Sequence, residues 1–257
     1  MVDRTASGNT GQIAIERSAD GGEVVLRRAG GVAALVAAAT FVVGFALFLT
    51  VLAAAGYGDD AARSVAFLLD NRALLTAWNL VIYVVFGTAL VVLALALHRR
   101  LRDDTPVLAA VATVFGQIWA GLVIGAGMVA NVAIGAVVDA AGRSPAEAEA
   151  TWATLRAVEN GLGGGNEIVG SLWVILVGWA AIRGGSLPRT VCYLGFVAGV
   201  AGLLTVVPGL GDLGAIFGFG LIAWFAWVGI HLLRAGGDDE LTTGADPDDG
   251  VAAATRF

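Results

Sequence analysis

Five polar side chains sit within long apolar runs, where their types and spacing could do chemistry: Asn79, Tyr83, Gln117, Asn131 and Glu167. A polar group in hydrocarbon is costly unless it pairs or lines a cavity, so each is a functional candidate by default. Asn79 and Tyr83 stand four residues apart and share one helical face. Gln117 and Asn131, fourteen apart, share another, with Gly121 and Gly125 between them as a small-xxx-small pair. The plainer reading is that the amides bridge neighbouring helices and the glycines permit close packing. The sharper one is an outward-facing polar vestibule between the second, third and fourth spans. Glu167, beside Asn166 in the first turn of an apolar helix, is expected either to cap that helix at the outer interface or to bind a cation.

Other chemistries find no support. His98, Cys192 and His231 are expected near one end of the helices, but neither His-x-x-x-His nor Cys-x-x-Cys occurs, so no metal and no cofactor is predicted. Ser171 has no histidine at its depth and no Gly-x-Ser-x-Gly elbow. The run from Gly161 to Gly165 lacks the Lys-Ser/Thr of a phosphate loop and reads as a linker. All fifteen basic residues are arginine, which excludes a lysine Schiff base. An enzyme is therefore not the expectation. The single cysteine cannot form an internal disulfide.

The elements that must position these groups follow from composition. Apolar residues make up 58%, charged residues only 14%, and the mean hydropathy is +0.82, whereas soluble domains carry roughly a quarter charged residues. The uncharged runs are long enough to span a bilayer. The expected fold is all-α: a polytopic integral membrane bundle of six transmembrane helices, over about 29–55, 73–97, 107–138, 166–182, 191–207 and 213–233. Short amphipathic surface helices are expected in the first and third connecting loops. The first places Val65, Leu68 and Leu69 on one face; the second starts at Ser144-Pro145-Ala146-Glu147, a capping box with proline at the first helical position. Residues 1–28 read as a flexible arm, 29–234 as the transmembrane domain, and 235–257 as an acidic disordered tail.

Arginine placement orients the bundle. One side collects Arg17, Arg27, Arg28, Arg99, Arg100, Arg102, Arg183, Arg189 and Arg234; the other holds Arg63, Arg72, Arg143 and Arg156. The positive-inside rule then puts both termini in the cytoplasm of a multi-pass cell-membrane protein. The expected partners are the lipid bilayer and a membrane or cytoplasmic protein; the acidic tail argues against nucleic acid. The oligomeric state is left open.

The turn Arg183-Gly184-Gly185-Ser186-Leu187-Pro188-Arg189 lies between two apolar helices. Leu172-Trp173 and Gly178-Trp179 precede it, Gln117 and Asn131 lie on the third span, and a tryptophan-rich stretch leads to Val228-Gly229. Together these make residues 70–235 resemble an uncharacterised membrane family, domain of unknown function 4386, whose turn reads basic-Ser-Gly-x-x-Pro-Arg. Gly184 departs from the family's serine and Cys192 from its common glycine. The resemblance implies six helices and no particular reaction. Physically, Gly184 and Gly185 end the first of the two helices, Pro188 blocks its continuation, and Arg183 and Arg189 anchor the turn at the anionic cytoplasmic surface.

Overall fold

A computed structural model of the chain describes residues 5–164 and 167–235. These fold as helices without strands: α1 Thr5–Leu47, α2 Ala61–Asp70, α3 Arg72–Asn79, α4 Phe86–Leu101, α5 Pro106–Ala141, α6 Pro145–Glu159, α7 Ile168–Gly184, α8 Arg189–Leu204 and α9 Leu213–Arg234. A π-helical segment, Leu80–Val85, joins α3 to α4 in one continuous rod. Five stretches are long and apolar enough to cross a membrane: Gly21–Leu52, Arg72–Leu101, Pro106–Ala141, Pro145–Gly184 and Leu213–Arg234. α8 is apolar too but has 16 residues, about 24 Å. The stretch read as an arm is helical from Thr5 and runs unbroken into the first span, since no proline interrupts it. The acidic tail from residue 236, Asn166 and Gly165 lie outside the described residues.

Local chemistry sets the helix ends. Ser144 accepts a hydrogen bond from the Glu147 N–H at 3.2 Å, and Pro145 occupies the first turn of α6. Asp60 caps α2 by accepting from the Arg63 N–H at 2.9 Å. Gly185 stops α7 with φ +65°, a left-handed conformation that costs glycine nothing.

Two apolar cores result. The larger joins α1, α4, α5, α7, α8 and α9 around an aromatic cluster. Trp173 is fully buried there, with Trp224 and Trp119 at centroid distances of 5.4 and 5.7 Å. The smaller core lies beyond one end of this bundle, where the last third of α5 meets α2, α3 and α6 through Leu68, Leu75, Trp78, Val137 and Ala148. The two short helices expected in the first and third loops thus form a cap.

Close approach of the bundle helices depends on glycine. A Cβ at Gly116 would lie 2.6 Å from Trp173 Nε1, and one at Gly127 would lie 2.5 Å from Tyr83 Cβ. The rods α3–α4 and α5 run antiparallel, with Gly116 beside Ala94, Gly127 beside Tyr83 and Asn131 beside Asn79. Gly121 and Gly125, read above as the packing pair, face open space, with nothing within 4 Å of a Cβ. Their helix turns its other side to its neighbours, so the spacing marked glycines but not the face they occupy.

Gly116→Val is expected to lower the thermal stability of the detergent-purified protein, by about 1–3 kcal/mol or more as an overpacked core. Gly121→Ala is expected to be neutral or slightly stabilising. Size-exclusion profiles after a heating series check both, and equal behaviour of the two variants would contradict this packing.

Candidate functional site

The rod carrying the first two candidates changes character at the position that matters. Over Leu80–Val85 it widens to π-helical geometry, an insertion often found at functional positions. Asn79 and Tyr83 flank and occupy that widened turn, and both face α5. Asn79 Nδ2 donates to Asn131 Oδ1 at 3.3 Å, with the amide orientations assigned from this pairing. One turn on, the Tyr83 hydroxyl donates to Glu159 Oε1 at 2.6 Å. Arg156 donates to the same oxygen at 2.9 Å, one helical turn away on α6. The Glu159 side chain is 9% exposed and that of Arg156 27%, so this ion pair is largely withdrawn from solvent.

Around the pair, Tyr57 and Trp152 close the cluster, their rings 6.4 Å apart. Burial pushes the Tyr57 phenol above its ordinary pKa, so it serves as a neutral hydrogen-bonding group. Tyr57, Trp78, Asn79, Trp152, Arg156 and Glu159 line a cavity of about 20 Å³, room for one water. The cluster lies where the two apolar cores meet, which makes it the joint between bundle and cap.

Asn79, Tyr83 and Asn131 are therefore brought together; Gln117 and Glu167 are not. Gln117 shares the expected face of α5 but lies about 21 Å along the helix from Asn131, where its Nε2 donates to the Val91 carbonyl at 3.4 Å. Glu167 occupies the N-cap of α7, one residue before the first turn, and its side chain makes no capping bond. Its backbone N–H donates instead to Thr205 Oγ1 at 3.1 Å, and its carbonyl accepts from the Ser171 N–H at 3.0 Å.

Arg156, Glu159 and Tyr57 escaped sequence reasoning. The signal was present: Ala148, Trp152, Leu155 and Glu159 fall at i, i+4, i+7 and i+11, so Glu159 continues the apolar stripe of α6. A carboxylate at the end of such a stripe points inward.

The remaining candidates have structural partners. Thr113 Oγ1 and His98 Nδ1 are 3.0 Å apart, and Cys192 is fully buried. No group of three or more His, Cys, Asp or Glu side chains among the described residues is placed to hold a metal. Ser171 is fully buried against Gly202, with no access for a substrate.

The opposite end gathers the arginines. Arg183 lies over the Trp179 ring at 4.9 Å, Arg100 Nε donates to the Ser186 carbonyl at 3.0 Å, and Arg27 donates to the Ala235 carbonyl at 3.0 Å. Gly184 abuts Asp104. Pro188 is the N-cap of α8, accepting from Val191 and Cys192 N–H, and Arg189 opens the helix.

Arg156→Gln alone should strand a buried carboxylate and cost about 3–5 kcal/mol. The double variant Arg156→Leu, Glu159→Leu should recover most of that loss. Heat-denaturation midpoints of the three proteins in one detergent check the pair, and a double variant weaker than Arg156→Gln would show that the ion pair is not what holds the joint.

No curated protein and no solved structure matches the chain. A family model described as Domain of unknown function (DUF4386) matches residues 28–236. That range takes in the polar joint, the arginine-rich turn Arg183–Arg189 and every helix from the first span to the end of α9. With most of its length matched, the chain belongs to the DUF4386 family.

Proposed function

We propose that the protein is a non-enzymatic, six-span protein of the cell membrane with both termini in the cytoplasm, acting through contacts with lipids or a protein partner. One observation carries this reading: the amides and the ion pair between the third, fourth and fifth helices and α6 are engaged with protein partners, and the larger open spaces are apolar and face outward, although Ser171 Oγ and Trp224 Nε1 lie buried without a partner. Asn79 holds Asn131, Tyr83 and Arg156 hold Glu159, and Gln117 holds a backbone carbonyl. By contrast, an outward groove between α8 and α9, lined by Phe196, Val200, Leu204 and Ile216, measures about 440 Å³. Grooves of that kind fit acyl chains or the helix of a partner.

The sixth span in this reading is α8. At about 24 Å it is short for a bilayer core of about 30 Å, but it packs between α7 and α9 and exposes Tyr193, Val197 and Val200. Those are suitable neighbours for lipid. The gathering of Arg27, Arg100, Arg183 and Arg189 at one end agrees with a cytoplasmic face there. The rival reading, a small transporter or channel opening on a polar vestibule, needs a continuous polar path. A cavity of about 20 Å³ beside Asn79 gives it little support, and Gln117 lies too far along α5 to extend it.

Two measurements test the proposal. Impermeant maleimide on intact cells should label Asp212→Cys and spare Thr190→Cys, because α8 separates them; labelling of both would remove the sixth span. Proteoliposomes should show no uptake of ions, sugars or amino acids above protein-free vesicles, and protein-dependent flux abolished by Asn79→Leu would replace the reading with a transporter.

A further inference from the structure

Between α8 and α9 the chain turns back through Thr205-Val206-Val207-Pro208-Gly209-Leu210-Gly211-Asp212, which carries no charge before Asp212. Val206, Val207 and Leu210 are exposed on it. The cap at the same end of the bundle is built otherwise: Asp59, Asp60 and Arg63 surround the start of α2, and Arg143 pairs with Glu147 at the start of α6. An uncharged loop that exposes three large apolar side chains is unfavourable in water and favourable in lipid. The loop also continues a face already turned outward. Val197, Val200 and Leu204 are exposed on α8 at i, i+3 and i+7, and Val207 follows at i+10, beyond the helix end.

The two helices that meet at this hairpin measure its depth. α8, with 16 residues and about 24 Å, falls about 6 Å short of a hydrocarbon core of about 30 Å, whereas α9, with 22 residues and about 33 Å, slightly exceeds it. Counted from Arg189, which opens α8, or from Arg234, which closes α9, the hairpin comes out within a few Å of the outer edge of the core. That is the depth of the lipid esters. The 36 residues of α5, about 54 Å, carry the cap well past that level.

The backbone suits this depth. The N–H groups of Thr205, Val207, Leu210 and Leu213 donate to the Gly202, Leu204, Val207 and Leu210 carbonyls at 3.0–3.2 Å. Pro208 has no N–H to satisfy, and Gly209 takes the φ of +86° that the reversal needs. The N–H groups of Val206, Gly209 and Gly211 find no acceptor among the described residues. Three open donors would be costly inside hydrocarbon, but at its edge water and ester carbonyls reach them.

We propose that the α8–α9 hairpin is a lipid-inserted loop, seated with Val206, Val207 and Leu210 among the outer-leaflet acyl chains at the level of the lipid esters and with Asp212 in the headgroup layer. The assignment rests on the membrane reading above and names the partner of this loop and its depth. The outer surface is then uneven: a polar cap stands in water over α5, and an apolar hairpin stays in the leaflet beside it.

The test uses the full chain with Cys192→Ala, reconstituted in phosphatidylcholine vesicles and carrying one nitroxide-labelled cysteine at a time: Val206→Cys, Leu210→Cys, Val200→Cys on α8 or Ala150→Cys on the cap. All four positions are exposed, so the labels displace no packed side chain. Collisions of the label with oxygen, which concentrates among acyl chains, are compared with collisions with a water-soluble nickel chelate. The oxygen-to-nickel ratio at Val206 and Leu210 should stand several-fold above that at Ala150 and approach that at Val200. Leu210→Asp should lift the loop, raising nickel collisions at the Val206 label several-fold without altering elution of the protein in detergent. Ratios at both hairpin positions equal to that at Ala150, with Val200 still oxygen-rich, would overturn the inserted loop and leave the membrane reading standing; a nickel-rich Val200 would remove that reading and the loop with it. Shielding of both hairpin labels from both reagents would mean that protein covers the loop, which overturns its assignment to lipid, as would a Leu210→Asp variant whose Val206 label behaves like that of the parent.

Discussion

A polar atom placed between helices in hydrocarbon can be satisfied only by the protein itself, because no water is there to take its place. This constraint accounts for the way the interior is built. Threonine hydroxyls return their hydrogen bonds to their own helices, Thr40 to Ala37, Thr50 to Ala46 and Thr113 to Ala109, whereas the buried Ser171 hydroxyl has no partner. Amides are rare and paired off: Asn79 with Asn131, Gln117 with a carbonyl of the neighbouring rod. With so little polar adhesion, the helices must be held by shape. Gly116, Gly127 and Gly170 let Trp173, Tyr83 and Trp119 reach the facing backbone, and the resulting dispersion contacts take over the role that water exclusion plays in soluble cores.

The same constraint explains where the charged pair sits. α5 has 36 residues, about 54 Å, which exceeds a hydrocarbon core of about 30 Å. The excess length cannot remain bare, and α2, α3 and α6 cover it with their own small core. Glu159 and Arg156 lie at the seam, close enough to the end of the bundle for Arg156 to keep 27% of its side chain exposed. A fully enclosed pair would carry a desolvation cost that its mutual attraction rarely repays. At the seam the pair keeps part of its hydration, and Tyr83 reaches from the rod to tie cap and bundle together.

Much of this organisation was legible in the sequence because it is local. The Ser144 box, the proline start of α6 and the glycine stop at Gly185 each declare themselves within a few residues. So did the shared face of Gln117 and Asn131, since both turn toward the same rod. What failed to declare itself depends on tertiary partners. Nothing in the chain near Tyr83 says that its hydroxyl meets Glu159, 76 residues away. Gly121 and Gly125 have the spacing of a packing motif, but spacing alone cannot say whether a helix face meets protein or lipid. α8 fell short for a related reason: its turn at Thr205, bonded to the Glu167 N–H, ends it before the apolar run does.

How the space inside is used bears on what the molecule can do. Moving a solute requires a site within the bundle and a second packing that opens it to the other side. Here the centre is filled by Trp119, Trp173, Trp224 and Phe225, with ring centroids 5.4–6.2 Å apart across the cluster. The glycines beside them leave no slack for a rotamer change, and a packed core of that kind resists continuous deformation. The free volume is instead on the perimeter, in grooves floored by alanine and glycine and bordered by valine and phenylalanine.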